Sequence, residues 1–466
     1  MTQFSKRDRR DFVRSTAAGL AVATLWKLPR TLGATSSSGK DLRLAPFRFD
    51  VTPPIGHGCC GGWITPIQVV DDPMEAVGFV LTGVGDPIVI CAVDWTGLLN
   101  EAHVAWRKAL ASAAGTSIDR VSVHCVHQHN APFACIEAQR LVEAHGLPPM
   151  LDVAFFGRCL AKASNAVLDA LKSLQPVTHI AVGEAPVEKV AGNRRILGPD
   201  GSVISMRGSA SKDAEHRELP EGLIDRQLKT VAFYHGEKKL ASCHYYACHP
   251  MSYYGDGRAT ADFCGLARRR RQEDEPDCLH LYFNGCGGNI AAGKYNDGSK
   301  EMRPILMERV YQGIVASERN LKRERVDQVR WAIQDILPET DPKYDVDKIL
   351  AQIADKNRSV VERNRPAYVV SWIRRCAKRI PITLSALHIN GASLLHLPAE
   401  AFVEYQLKAQ RMASERFVAC AAYGDGGPWY LPTAEAFSQG GYEVSVSWCG
   451  PGIDAVLTRG IQSLMA

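Results

Sequence analysis

Four scattered residues carry side chains that could hold a divalent metal. They are His127 in Val126-His127-Gln128-His129-Asn130-Ala131-Pro132, His249 in Ala247-Cys248-His249-Pro250-Met251-Ser252, Glu400 in Leu397-Pro398-Ala399-Glu400, and Tyr430 in Pro428-Trp429-Tyr430-Leu431-Pro432-Thr433. Two imidazoles, a carboxylate and a phenol make a nitrogen and oxygen shell for one ion. Zinc is the natural choice where such a shell leaves room for a water. Taken singly, each residue also has an ordinary structural role. A His-x-His pair serves as satisfied core or surface histidines. An acid at a helix start complements the dipole, and a tyrosine anchors packing.

The elements around these residues must position them. Residues 120–125 alternate as a strand and run into His127 and His129, whose spacing of two puts both on one face. One can then ligate metal while the other serves a substrate. His249 ends the apolar run 243–248, in which His244 is a competing ligand. Glu400 lies between a buried strand and a helix over 401–413. Tyr430 follows a strand at 417–423. Elsewhere the pattern predicts strands at 77–81, 87–93 and 179–182, and helices at 100–114, 151–174 and 303–320. Residues 229–234 and 240–246 read as a hairpin. A strand at 279–283 leads into Asn284-Gly285-Cys286-Gly287-Gly288-Asn289. Residues 344–379, rich in arginine, read as a solvated helical excursion, with a cover over the site as the alternative. No repeat or linker divides the chain. The expected fold class is α/β (mixed α+β), one large catalytic domain over 46–466 with mixed sheets flanked by helices.

A chain of 466 residues can bury a large core. Its formal charge of +5 resides in residues 1–34, where seven Lys or Arg face two Asp. The remainder is balanced, with 48 basic and 48 acidic side chains, so charge gives no argument for nucleic acid or an anionic membrane. Residues 1–34 read as a twin-arginine export segment. Arg9-Arg10-Asp11-Phe12-Val13 precedes a short apolar stretch, and Leu32-Gly33-Ala34 is an imperfect cleavage site. The expected location is therefore periplasmic or extracellular. Residues 35–45 read as a flexible leader, and no segment is long and apolar enough to span a bilayer. Most of the 14 Cys sit singly in apolar runs, which predicts burial, while export would permit disulfides that the sequence does not assign.

The order and contexts of the four motifs resemble the catalytic domain of the neutral/alkaline ceramidases, zinc-dependent amidases that cut an N-acyl bond in a lipid. The resemblance covers most of residues 45–450. His127, His129 and Pro132 match the family's His-x-His-Ser-Gly-Pro signature, from which Asn130 and Ala131 depart. His249 matches the second zinc histidine at a strand end. Pro398-Ala399-Glu400 stands where the family has Pro-Gly-Glu. Tyr430-Leu431-Pro432-Thr433-Ala434-Glu435, with Tyr442-Glu443 beyond it, follows the family's tyrosine turn.

The resemblance implies metal ligation by His127, His249, Glu400 and Tyr430, and orientation of a ligand histidine by Asp262. It makes Arg194, in Gly192-Asn193-Arg194-Arg195, a substrate contact near the scissile group, although Arg195 is chemically as good. His129 and Arg194 would stabilise an oxyanion or move a proton. One departure bears on mechanism. The serine of the family's glycine-rich turn is Ala291 here, with Ser252 as a hydroxyl in a nearby motif. The expected activity is hydrolysis of an amide in a small or lipid-like substrate by metal-activated water. Two other readings are a non-catalytic zinc and ligand binder, and a hydrolase of another amide class, glycan-linked or peptide-like. The family's further immunoglobulin-like domain is not expected in this chain.

Overall fold

The computed structural model describes residues 31–466, so the expected export segment lies almost wholly outside the described residues. Three five-stranded mixed sheets dominate. Each is antiparallel except for one parallel pair at its edge. In the first sheet Val121–Cys125 lies parallel to Ile88–Val93, followed by Glu75–Thr82, Arg43–Asp50 and Gln175–Pro176. In the second, Leu279–Asn284 is parallel to Lys238–Tyr246, which continues through Gln227–His235 and His179–Pro186 to Lys322–Arg325. In the third, Phe417–Ala421 is parallel to Ala392–His396, then come Ile382–Ile389, Val329–Ile336 and Thr31–Ser37.

The parallel pairs explain the composition of their strands. Ile88–Val93 and Ala392–His396 are buried along their whole length, as strands covered on both faces must be, and so read as continuous apolar runs. Helices Glu101–Ala114 and Val153–Ala170 pack beside the first sheet, and Asp262–Asp274 with Met302–Arg319 beside the second. Thirteen of the 14 cysteines are buried, as the apolar contexts predict, and all are free thiols. No helix among the described residues is long and apolar enough to cross a membrane.

Two expectations are corrected. Residues 35–45 are no flexible leader. Thr31–Ser37 pairs with Val329–Ile336, and Arg43–Asp50 is an inner strand of the first sheet. Small polar residues conceal such a strand, because ladder hydrogen bonds come from the backbone of any residue. Residues 344–379 are helical (Val346–Ala354, Val360–Asn364 and Pro366–Ala377) but not a solvated excursion. Ala367, Tyr368, Val370 and Trp372 are fully buried. Arg375 is buried too, donating to Asn100 Oδ1 at 3.1 Å and pairing with Asp425. Partners on a distant segment turn Arg375 inward, which a local charge count does not register.

Candidate metal centre

The C-terminal ends of the three parallel pairs meet at one place; His127, His249 and Glu400 sit just beyond those ends, and the pairing of Tyr430–Leu431 with Glu400–Ala401 brings Tyr430 to them. Their backbones interlock. Cys125 N–H donates to Tyr423 O (2.8 Å), Ala422 N–H to Asn284 O (2.9 Å), and Gly285 N–H to Tyr246 O (2.9 Å). His249 N–H donates to Ile290 O (3.0 Å), and Glu400 N–H to Trp429 O (3.1 Å). Gly288 fits between these loops because it lacks a side chain; a Cβ there would lie 2.3 Å from Glu400 O. Ligands tend to bind outside the carboxyl ends of parallel strands, where neighbouring loops diverge and leave a crevice.

Four residues around this crevice hold positive φ without being glycine: His127 (80°), Ala399 (51°), Tyr423 (57°) and Trp429 (62°). Each costs on the order of 1 kcal/mol, a strain kept only where surrounding contacts over-determine the backbone. Ala399 stands where the resemblance expects glycine, so the same turn is made at that cost.

The tautomers of the two histidines follow from their partners. His127 Nδ1 lies 2.6 Å from Thr96 O, and His249 Nδ1 lies 2.7 Å from Gly287 O. A carbonyl only accepts, so each Nδ1 carries a proton, and in the neutral form each ring turns a bare Nε2 inward. The two Nε2 atoms are 3.2 Å apart. That separation would suit a hydrogen bond, but with both protons on Nδ1 neither has one to give. Glu400 Oε2 lies 3.4 Å from His127 Nε2 and 3.1 Å from His249 Nε2, and finds no hydrogen-bond partner. Tyr430 Oη is 3.5 Å from His249 Nε2. Lone pairs of the two imidazoles, the carboxylate and the phenol thus converge on one point. Ligands ~2.0–2.1 Å from a tetrahedral ion stand about 3.2–3.4 Å apart, so the residues present fit a zinc-like ion.

The charge state agrees with that fit. Burial pushes His249 below the ordinary histidine pKa. Burial, with His127 and His249 alongside, pushes His129 well below it. His129 is therefore neutral. Its ring lies 4.9 Å from His127 and 5.6 Å from His249, and its buried Nδ1 has no partner. Nitrogens of the three histidines all fall within 4.8 Å of one another.

The structure separates the remaining candidates. Arg194 belongs to the site: its Nη1 donates to Tyr430 Oη at 3.2 Å, and Glu443 lies 3.6 Å behind it. Arg195 instead anchors the fold, buried against Glu443 (3.2 Å), Gln439 and Ala436 O. His244 is remote from the centre; it bonds Thr230 Oγ1 (2.9 Å) and His280 Nδ1 (3.0 Å) in the second sheet. Ala291 bridges His249 in backbone pairing and is buried. Ser252 is fully buried, and its hydroxyl accepts from Arg303 Nε at 2.9 Å.

Asp262 touches no ligand histidine. Its oxygens accept from Ser252 N (3.1 Å) and Phe263 N (2.7 Å), which fixes the loop after His249. The groups that do orient the histidines are the carbonyls of Thr96 and Gly287, together with Tyr423, whose ring stacks on His127 at 4.3 Å. Carbonyls leave no signature in a sequence. Tyr423 had only its place at a strand end as a signal.

A cavity of about 540 Å³ opens over these residues, walled by Trp63, Trp429, Phe133, Tyr254, Tyr442 and Arg365. This volume suits a small-molecule site, apolar with a few convergent polar groups.

Compared with solved structures, the chain has the fold of neutral ceramidases. It is similar to a ceramidase complexed with C2, at a TM-score of 0.66 and 14% identity, over 91% of this chain and 75% of that one. It is similar also to the neutral ceramidase from Pseudomonas aeruginosa, at a TM-score of 0.65 and 13% identity, over 91% and 74% respectively. No protein-family model and no curated protein matches the sequence. The expected mixed α+β architecture and its resemblance to the ceramidase fold are thereby borne out.

Proposed function

We propose that this protein is an exported zinc-dependent hydrolase that cleaves an amide (N-acyl) bond. The observation that carries the reading is the convergence of two bare imidazole nitrogens, the unpartnered Glu400 oxygen and the Tyr430 phenol at one point beside the cavity. His127, His249, Glu400 and Tyr430 would hold the ion. When bound, it supplies Lewis-acid polarisation of the acyl carbonyl and activates water. The fold shared with ceramidases supports an N-acyl bond as the target.

The protein's own groups have separable tasks. Arg194, kept charged by Glu443, faces the cavity and can hold a developing oxyanion. His129, neutral and at the cavity wall, can accept a proton from the attacking water and return it to the leaving amine. No side-chain nucleophile is required, which suits alanine at position 291.

A panel of N-acyl amides, ceramide among them, tests the reading on purified protein of known metal content. Wild type should turn over a member of the panel. His249→Ala should lose both metal and turnover. His129→Ala should keep its metal and slow by about 10²–10⁴-fold. If wild type is inert while Ala291→Ser gains ceramide hydrolysis, the chain is a binding protein that lost its reactive group.

A further inference from the structure

Arg365 stands at the junction of Val360–Asn364 and Pro366–Ala377 and reaches the wall of the cavity. Its guanidinium lies 4.9 Å from the Trp63 ring and 5.7 Å from Trp429, two indoles that stack on each other at 5.1 Å. Nη2 donates to Tyr442 Oη at 3.3 Å. Nε and Nη1 have no hydrogen-bond partner among the described residues, and no carboxylate pairs with the side chain.

The two other charged side chains on the cavity wall, apart from histidines, are already answered. Glu400 faces the histidine pair, and Arg194 has Glu443 behind it. Arg365 is thus an uncompensated cation, held against two indoles and facing the same space as the metal ligands. A guanidinium held this way keeps one planar edge of donors free, and that edge matches a carboxylate.

We propose that Arg365, on its Trp63 and Trp429 platform, receives a carboxylate of the substrate, so that the N-acyl compound taken here is an acid rather than a neutral lipid. The proposal rests on the hydrolase reading for turnover, but its binding arm stands apart from it. The alkyl or ring portion of such a substrate lies against Trp63, Phe133 and Trp429, with the acyl carbonyl directed to the ligand cluster. Arg365 is a specificity residue and takes no part in bond cleavage.

The test compares N-dodecanoylglycine with its neutral analogue N-dodecanoylglycinamide, by calorimetry and by quenching of tryptophan fluorescence. Wild type should bind the acid about tenfold or more tightly over the amide, as expected for a charge-assisted bidentate contact. Arg365→Gln should bring the two within about twofold, and Arg365→Lys should recover part of the preference. His249→Ala should retain the preference, which separates Arg365 from a carboxylate caught by the metal. In wild type, raising NaCl from about 50 to about 500 mM should weaken the acid and leave the amide nearly unchanged. Equal binding of both probes by wild type overturns the proposal, as do a preference that survives Arg365→Gln and one that vanishes in His249→Ala. Turnover of the same probes reports on the other reading. An acid preference without hydrolysis of either probe sinks the hydrolase and leaves Arg365 in place.

Discussion

Removal of the metal should destabilise the protein by an amount that can be worked out in advance. Without an ion, the Nε2 atoms of His127 and His249 stand 3.2 Å apart beside an unpartnered Glu400 oxygen. The apo form must take up a proton or spread the cluster, and either costs stability that the bound ion restores. An ion that binds only the folded state stabilises it by about 2.7 kcal/mol at a hundred times Kd and about 4.1 at a thousand times. Unfolding entropy near ~2.1 cal/mol/K per residue gives roughly 1 kcal/mol/K for a chain of this size, so Tm should rise by about 3 °C and about 4 °C respectively. The assay is differential scanning calorimetry on chelator-treated protein titrated with zinc, with elemental analysis of the same samples. The rise should shrink at lower pH, because the ion competes with protons for the imidazoles. Equal Tm for stripped and zinc-loaded protein, with no metal retained by either, would refute the reasoning.

Three further outcomes are expected. Ala399→Gly should raise stability by up to about 1 kcal/mol in urea unfolding, since glycine relieves the φ of 51° and gives back part of that gain as chain entropy. Changing Arg9 and Arg10 to Lys should leave the precursor in the cytoplasm on cell fractionation; normal export would exclude the twin-arginine route. The third concerns the ion-pair network behind the second sheet. Burial would raise Glu275, but hydrogen bonds from His280 and Lys239 pull it down from 4.5 to about 2, and Glu318 beside it is likewise held low. A carboxyl depressed in the folded state stabilises above its unfolded pKa and loses that contribution as pH falls through the folded value. Stability should therefore drop between about pH 4.5 and about pH 2, by about 1–2 kcal/mol from Glu275 after allowing for its partial exposure. Glu318→Gln should flatten this acid limb in pH-dependent urea melts, while an unchanged limb would assign acid sensitivity elsewhere.

Much was legible in the sequence because it is written in local pattern. Apolar runs at 87–93 and 279–283 announced buried strands, the periodicity at 151–174 announced a helix, and single cysteines in apolar settings announced their burial. The resemblance picked out His127, His249, Glu400 and Tyr430, and the fold brings all four together. What the sequence by itself determined was the chemistry available: which side chains could ligate, and that position 291 has no hydroxyl. What only the tertiary structure decided was orientation and partnership. His244 and His249 are five residues apart on one segment, yet the end of a parallel pair delivers one to the centre and leaves the other in the sheet. The carbonyls of Thr96 and Gly287 fix the ring tautomers, a role open to any residue type. Strand Thr31–Ser37 and the inward turn of Arg365 and Arg375 likewise depend on distant partners. Long-range pairing chooses among local possibilities, and its energy comes from contacts that adjacent residues do not encode.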